Sequence, residues 1–256
     1  MKHNHCRAGA SPAGEPERLP YNSRGIFAAL DVYHDDTAHS AAMNMAIDEA
    51  LLEHAAVPSI RFYVWHFPGL SFGYFGRFAD VASYAGERNL VRRWTGGGIV
   101  LHGEDLTYSI VIPVSNTAFS ESSISIYEKI HHALCDALNA SGERAVVAGG
   151  VDPGPIGSAI LAAVTAVGDN CFANPVRADV MLNGRKIAGA AQRRTRCGLL
   201  QQGSIQSIDA ANGLADRFAR ALSNNCSERK IDEEILDRAR ELAHGKYGTD
   251  SWLRKR

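Results

Sequence analysis

The sequence predicts a mixed α/β (α+β) fold, with a central mixed β-sheet flanked by helices. Three observations carry that expectation. Short β-rich segments and segments of helical period interleave along the chain, they do so without strict βαβ alternation, and no repeat of fixed period is present.

Residues 1 to about 24 carry Pro, Gly, Ser and charge without periodicity and read as a disordered tail, with His3 and His5 solvated rather than ligating a metal. A single domain with a C-terminal helix is expected over residues 25–256. It opens on a strand, Gly25–Val32, followed by an amphipathic helix within 39–56. That helix carries Met43, Ile47, Ala50, Leu51 and His54 at helical spacing and has Ser40 as N-cap. Ser59–Trp65 alternates as a strand and stops before Pro68-Gly69; Leu70–Phe75 is a second short strand, and a polar helix is expected near Ala79–Asn89. Leu90–Trp94 and Ile99–Leu101 flank a glycine run, and Leu106–Val114 is apolar and β-rich. Ser123–Ser141 has helical spacing at Ile126, Ile130, Leu134 and Leu138. Gly149–Gly168, rich in Gly, Pro and Ala, reads as a loop. Ala178–Leu182 and Arg185–Ala191 form a hairpin joined at Asn183-Gly184, a strong turn pair. Leu199–Ile205 is a further strand, and Asp209–Leu222 and Ile231–Lys246 are helices.

The 256 residues carry 27 basic and 28 acidic side chains, a formal charge of −1, which gives no support to a nucleic-acid binder with a strongly basic face. Five cysteines, Cys6, Cys135, Cys171, Cys197 and Cys226, are widely spaced with no C-x-x-C pair, so neither a disulfide framework nor a zinc site is indicated. The first 25 residues lack the apolar core of a secretory signal, and no apolar run is long enough to span a bilayer. A cytoplasmic protein that does not act on membranes is expected.

Three segments carry chemistry. In Arg92-Arg93-Trp94-Thr95-Gly96-Gly97-Gly98-Ile99-Val100-Leu101-His102, consecutive glycines let the backbone approach a ligand closely, and their N–H groups can cradle an anion or a carbonyl oxygen. The two arginines supply charge suited to phosphate or carboxylate. A bulged turn between strands, with solvated arginines, would leave the same signature. It is neither a G-x-G-x-x-G loop nor a Walker loop. In Gly184-Arg185-Lys186-Ile187-Ala188-Gly189, a lysine after a tight turn is followed by small residues that leave room for a bound chain; an ordinary surface lysine on a hairpin is the other reading. Cys171, in Asp169-Asn170-Cys171-Phe172-Ala173-Asn174-Pro175, is a thiol in a turn-rich loop, whose reactivity a nearby ammonium such as Lys186 would raise. The alternative is an inert buried cysteine; the other four are read as structural or incidental.

Together these segments resemble the lipoate–protein ligase and octanoyltransferase family of the biotin/lipoate ligase superfamily. The pieces occur in order: Asn44–Leu51, Arg61–Trp65, Leu70–Tyr74, the Arg93–His102 loop, Gly184–Gly189, Leu200–Ile205 and Lys246–Trp252. The match covers about residues 27–253 and is closest to the single-domain cysteine octanoyltransferase branch. Gln202 stands where a histidine is common in that family, and Trp94 where a polar residue is frequent.

The resemblance implies a biotin/lipoate ligase-like catalytic domain with a tunnel for an acyl chain. It implies Cys171 and Lys186 as catalytic residues, and Arg93, Gly96, Gly97, Gly98, Ile99, Val100, His102 and Gly189 as substrate-binding residues, with no metal site. The implied reaction is transfer of an octanoyl or lipoyl group to a lysine of a lipoyl domain of a 2-oxoacid dehydrogenase or of glycine cleavage H protein. The implied donor is octanoyl-acyl carrier protein, through a Cys171 thioester and with no tightly bound cofactor. Two alternatives stay open: an ATP-dependent ligase using ATP, Mg and lipoate through lipoyl-adenylate, and a non-catalytic relative that binds acyl chains or carriers.

Overall fold

In Ser59–Trp65, Ile60 and Phe62 point to one apolar cluster while Tyr63 points to another, the period-2 signature of a strand covered on both faces. The computed structural model describes residues 25–66, 68–149, 176–208 and 213–255. Cys171, the expected tail and most of the Gly149–Gly168 segment lie outside the described residues.

The elements in chain order are β1 (Leu30–His39), α1 (Ala41–His54), β2 (Ser59–Trp65), β3 (Gly69–Phe72), β4 (Asn89–Arg92), β5 (Ile99–His102) and β6 (Leu106–Pro113). They continue with α2 (Ser123–Asn139), β7 (Ala145–Val147), β8 (Val180–Leu182), β9 (Arg185–Arg194) and β10 (Gly198–Ile205). The last are α3 (Leu214–Leu222), β11 (Cys226–Arg229), α4 (Glu233–Leu242) and the single turn α5 (Asp250–Leu253). The main sheet has the order β11-β1-β2-β6-β10-β9-β8-β7, and a smaller sheet has the order β4-β3-β5. β1 runs parallel to both β11 and β2, whereas β2, β6, β10, β9, β8 and β7 pair antiparallel in succession. The sheet is therefore mixed.

Helices cover both faces of the main sheet. α2 and α3 pack on one side over Ile60, Phe62, Ile110 and Ile112. On the other, α1 and α4 pack over Tyr63, Val111 and Leu200. Each fully buried Leu or Ile in these layers contributes on the order of 2 kcal/mol. Among the described residues no helix is long and apolar enough to cross a membrane.

Several expectations are corrected. Residues 26–29 form bends, and the first strand runs Leu30–His39, pairing with a strand, Cys226–Arg229, that the sequence did not reveal. Its exposed register, Cys226-Ser227-Glu228-Arg229, has no apolar alternation to betray it. The expected strand Leu70–Phe75 ends at Phe72, and the expected polar helix near Ala79–Asn89 is two short 3-10 turns, Phe78–Asp80 and Ala82–Tyr84. Gly86 and a lack of apolar period leave nothing to hold a longer helix. α1 is buried on several faces rather than amphipathic, with Asn44 through Leu52 all inaccessible and His54 exposed. Its expected cap holds: Ser40 Oγ accepts the Met43 N–H at 3.2 Å. The last long helix ends at Leu242 and passes into a π-turn, Ala243–Tyr247. The Asn183-Gly184 turn takes positive φ at both positions, 51° and 76°, as a tight hairpin requires.

Candidate active site

β9 is irregular where it leaves the hairpin. Val180 faces Ala188 while Met181 faces Lys186, so β9 carries one extra residue there, and a bulge of this kind re-aims a side chain. The Lys186 ammonium lies 2.8 Å from Asp179 Oδ2, and its side chain is only 3% exposed. Asp179 is held in turn by the Tyr127 hydroxyl at 2.7 Å and the Val176 N–H at 2.7 Å. Gly189 makes room for this pair: a Cβ there would stand 2.7 Å from Lys186 Cε and 2.9 Å from Nζ. No side chain fits.

The glycine turn faces this strand. Gly97 has φ +84°, and a Cβ on it would approach the Ala191 methyl to 3.2 Å. Between the two runs a cleft with about 420 Å³ of empty space, part of it open to solvent. Arg93, Gly97, Val100 and His102 line it from the turn and β5, and Gly189, Ala190 and Ala191 from β9; Met45, Trp65, Ser71 and Gln202 are also part of its wall. Of the residues expected to bind substrate, five line the cleft: Arg93, Gly97, Val100, His102 and Gly189. Gly96 and Gly98 belong to the same turn without lining the cleft, and Ile99, the first residue of β5, packs instead with the small-sheet cluster of Leu70 and Phe72. Cys171 lies outside the described residues.

The two arginines of the motif do different work. Arg92 is 1% exposed. Its guanidinium donates to the carbonyls of Tyr74, Gly76, Trp252, Leu253 and Lys255. That uses the whole fork on backbone, so Arg92 ties the chain's C-terminal turn to the small sheet and has no donor for phosphate. Arg93 is also buried rather than solvated. It donates to Ser71 Oγ at 2.6 Å and to the carbonyls of Gly96 and Gly98 at 3.0 and 2.8 Å.

His102 stacks on Trp65 with ring centroids 4.0 Å apart. Its Nε2 lies 2.7 Å from Ser71 Oγ and its Nδ1 2.8 Å from Asp105 Oδ2. Burial lowers the His102 pKa against the opposing effect of Asp105, so the ring is neutral at pH 7. Burial pushes the Asp105 carboxyl up, but hydrogen bonds from His102, Ser204 and Gly103 outweigh it and hold the pKa below the usual value.

Sequence reasoning missed a second buried network behind the cleft. Arg61 on β2 donates to Asp35 Oδ2 at 2.7 Å, Asp48 Oδ1 at 2.9 Å and Asn44 Oδ1 at 2.7 Å. Asp48 also accepts from Ser109 at 2.7 Å and from Gln202 at 2.7 Å, and Gln202 accepts from Thr95 Oγ1 at 2.8 Å. Gln202, the departure from the family pattern, thus links the helix carboxylate to the base of the glycine turn. The one available signal was Arg61 itself, a charge at an inward position of an otherwise apolar strand.

The thiols among the described residues sit elsewhere. Burial raises the Cys135 pKa to about 12, and Cys226 is exposed on the edge strand. Among the described residues no group of three or more His, Cys, Asp or Glu could hold a metal ion.

Comparison with known proteins gives one consistent result. Residues 40–242 match the family described as the lipoyl protein ligase A/B catalytic domain. The octanoyltransferase LipM of Oceanobacillus iheyensis is 37% identical over 192 residues, covering 72% of this chain and 66% of that protein. Its counterpart from Carboxydothermus hydrogenoformans is 37% identical over 179 residues, covering 67% of this chain and 62% of that protein. The matched stretch therefore spans slightly under two thirds of each relative. A crystal structure of lipoate-protein ligase A bound with ATP superposes with TM-score 0.68 at 21% identity, covering 88% of this chain and 98% of the other. The fold is that of the lipoate ligases, as the sequence suggested.

Proposed function

The chain belongs to the lipoyl protein ligase A/B catalytic domain family, and from that premise we propose that it is a cysteine octanoyltransferase acting in protein lipoylation. Residues 25–256 form its catalytic domain. The observation that carries this reading is a cleft with apolar walls whose two sides are the glycine turn and the small residues of β9, with the Lys186 ammonium directly behind Gly189. The similarity to octanoyltransferases supports the choice of acyl group.

In this reading the Cys171 thiolate attacks the carbonyl carbon of an octanoyl thioester on acyl carrier protein. A C–S bond forms, the carrier's C–S bond breaks, and the carrier leaves as its thiol after taking up a proton. The neutral ε-amine of a lysine on a lipoyl domain or glycine cleavage H protein then attacks the enzyme thioester, giving an amide and restoring the Cys171 thiol. Splitting the transfer in this way replaces one difficult step with two easier ones. The cation at Lys186, held by Asp179, and the N–H groups of the glycine turn stabilise the oxyanion, each donor being worth roughly 3 kcal/mol. Arg93, Val100, His102 and Gly189 shape the acyl site. No tightly bound cofactor takes part.

Intact-mass measurement after mixing the protein with octanoyl-acyl carrier protein tests this. The expected result is a gain of one octanoyl group, removed by hydroxylamine and absent in Cys171→Ala. Lipoate-stimulated ATP–pyrophosphate exchange that survives Cys171→Ala would instead establish an ATP-dependent ligase. Failure to modify any lipoyl domain with either donor would mark a non-catalytic relative.

A further inference from the structure

A cation and a carboxylate are both buried beside the cleft without touching. Arg93 is 6% exposed, and the Asp105 side chain is 2% exposed. Between them stand two neutral groups, Ser71 and His102, at 0% and 6% exposure. Directions of donation follow from valence. A guanidinium only donates, so Ser71 Oγ accepts from Arg93 at 2.6 Å. A carboxylate only accepts, so His102 Nδ1 carries the proton and donates to Asp105 Oδ2 at 2.8 Å. The neutral ring then has a bare Nε2, and Ser71 directs its hydroxyl proton there across 2.7 Å. Asp105 is fixed further by Thr107 Oγ1 at 2.9 Å, Ser204 Oγ at 2.7 Å and the Gly103 N–H at 3.0 Å. At the other end, Arg93 grips the carbonyls of Gly96 and Gly98. Because a trans peptide is planar with C=O and N–H opposed, fixing those two carbonyls also fixes the N–H groups of Gly97 and Ile99.

We propose that Asp105, His102 and Ser71 are a positioning relay: a one-way chain of hydrogen bonds that orients Arg93 and, through it, the peptides of the glycine turn. The role rests on the reading of this cleft as the acyl site. None of the three needs to touch the reacting atoms. Two oriented dipoles join the buried carboxylate to the buried guanidinium and fix both. The arrangement resembles the serine–histidine–carboxylate order of hydrolases, but Ser71 lies fully buried within a strand and is already bound by Arg93, so the serine orients rather than attacks.

Two measurements on the full chain test the relay. The first is ¹⁵N NMR of the labelled imidazole in the unmodified protein at pH 7, which needs no substitution and no activity. His102 is expected as the Nδ1–H tautomer, and Ser71→Ala is expected to shift the Nε2 signal. The second is steady-state octanoyl transfer by His102→Gln and His102→Asn. A glutamine carbonyl can take the place of Nε2 and accept from Ser71, whereas an asparagine amide can take the place of Nδ1 but leaves the Ser71 proton without an acceptor. His102→Asn and Ser71→Ala are expected to lose about 10- to 100-fold in kcat with little change in KM, and His102→Gln to lose distinctly less. An Nε2–H ring, or equal losses in His102→Gln and His102→Asn, would overturn the relay. Absence of octanoyl transfer by the unmodified protein would instead defeat the functional reading, while the imidazole signals would still decide the relay.

Discussion

At Gly189 a methyl group and the Lys186 ammonium compete for the same space. Gly189→Ala is therefore expected to push Lys186 off Asp179 and to destabilise the protein by about 1–3 kcal/mol. It should lower octanoyl transfer by at least about tenfold, seen as a lower denaturation midpoint together with a lower kcat. Arg61 is the sharper case for stability. Its removal takes the guanidinium from both Asp48 and the nearly buried Asp35, leaving Asp48 with neutral donors only and Asp35 with His39, so Arg61→Met is expected to cost about 3–5 kcal/mol. Adding Asp48→Leu should recover part of the loss in urea titrations. A loss below about 1 kcal/mol for the single substitution would contradict the assigned network. Lys186 and the glycine run stand out in the sequence because a turn pair and a glycine triplet are local signals. The partners of Arg93, Arg61 and Lys186 could not. Asp179, Ser71 and Asp48 meet them only through sheet pairing and helix packing, which no spacing rule encodes.

Among the elements, the interior strands and α2 were legible because burial imposes a strict period on them. The edge strand Cys226–Arg229 and the turns at 78–84 were not, since the strand is exposed throughout and the turns bury Val81 alone, which sets no period. α1 misled for the opposite reason: it is enclosed between the main sheet, α4 and the π-turn, so polar Asn44, Asp48 and Glu49 face inward with its apolar residues. Glu49 accepts from both Lys246 and Tyr247, fastening α1 to the π-turn that precedes the segment held by Arg92. Arg92→Lys keeps the charge but offers only three donors where the guanidinium offers five. The substitution is expected to lower stability by about 2–3 kcal/mol and to speed amide exchange in residues 249–255. Unchanged exchange there would show that the clamp carries no weight.

For the molecule as a whole, acid sensitivity follows from a histidine at its centre. His131 is fully buried, donates from Nδ1 to the Ala178 carbonyl and accepts from the Tyr108 hydroxyl, and burial lowers its pKa to about 4. Between about pH 6.5 and 4 the unfolded chain binds a proton there that the folded one refuses. Stability from this group is therefore complete above about pH 6.5 and falls as pH drops, by up to about 3 kcal/mol. His131→Asn is expected to flatten that part of the pH profile in denaturant titrations, and an unchanged slope would contradict the assignment. The location of the acyl site can be tested most directly by photolabelling with an octanoyl thioester that bears a terminal diazirine, followed by peptide mapping. Adducts are expected in the peptides containing Met45, Val100 or Ala190, which wall the cleft between the glycine turn and β9. Adducts confined to the separate surface hollow formed by Tyr33, His34, His39 and Arg229 would contradict it.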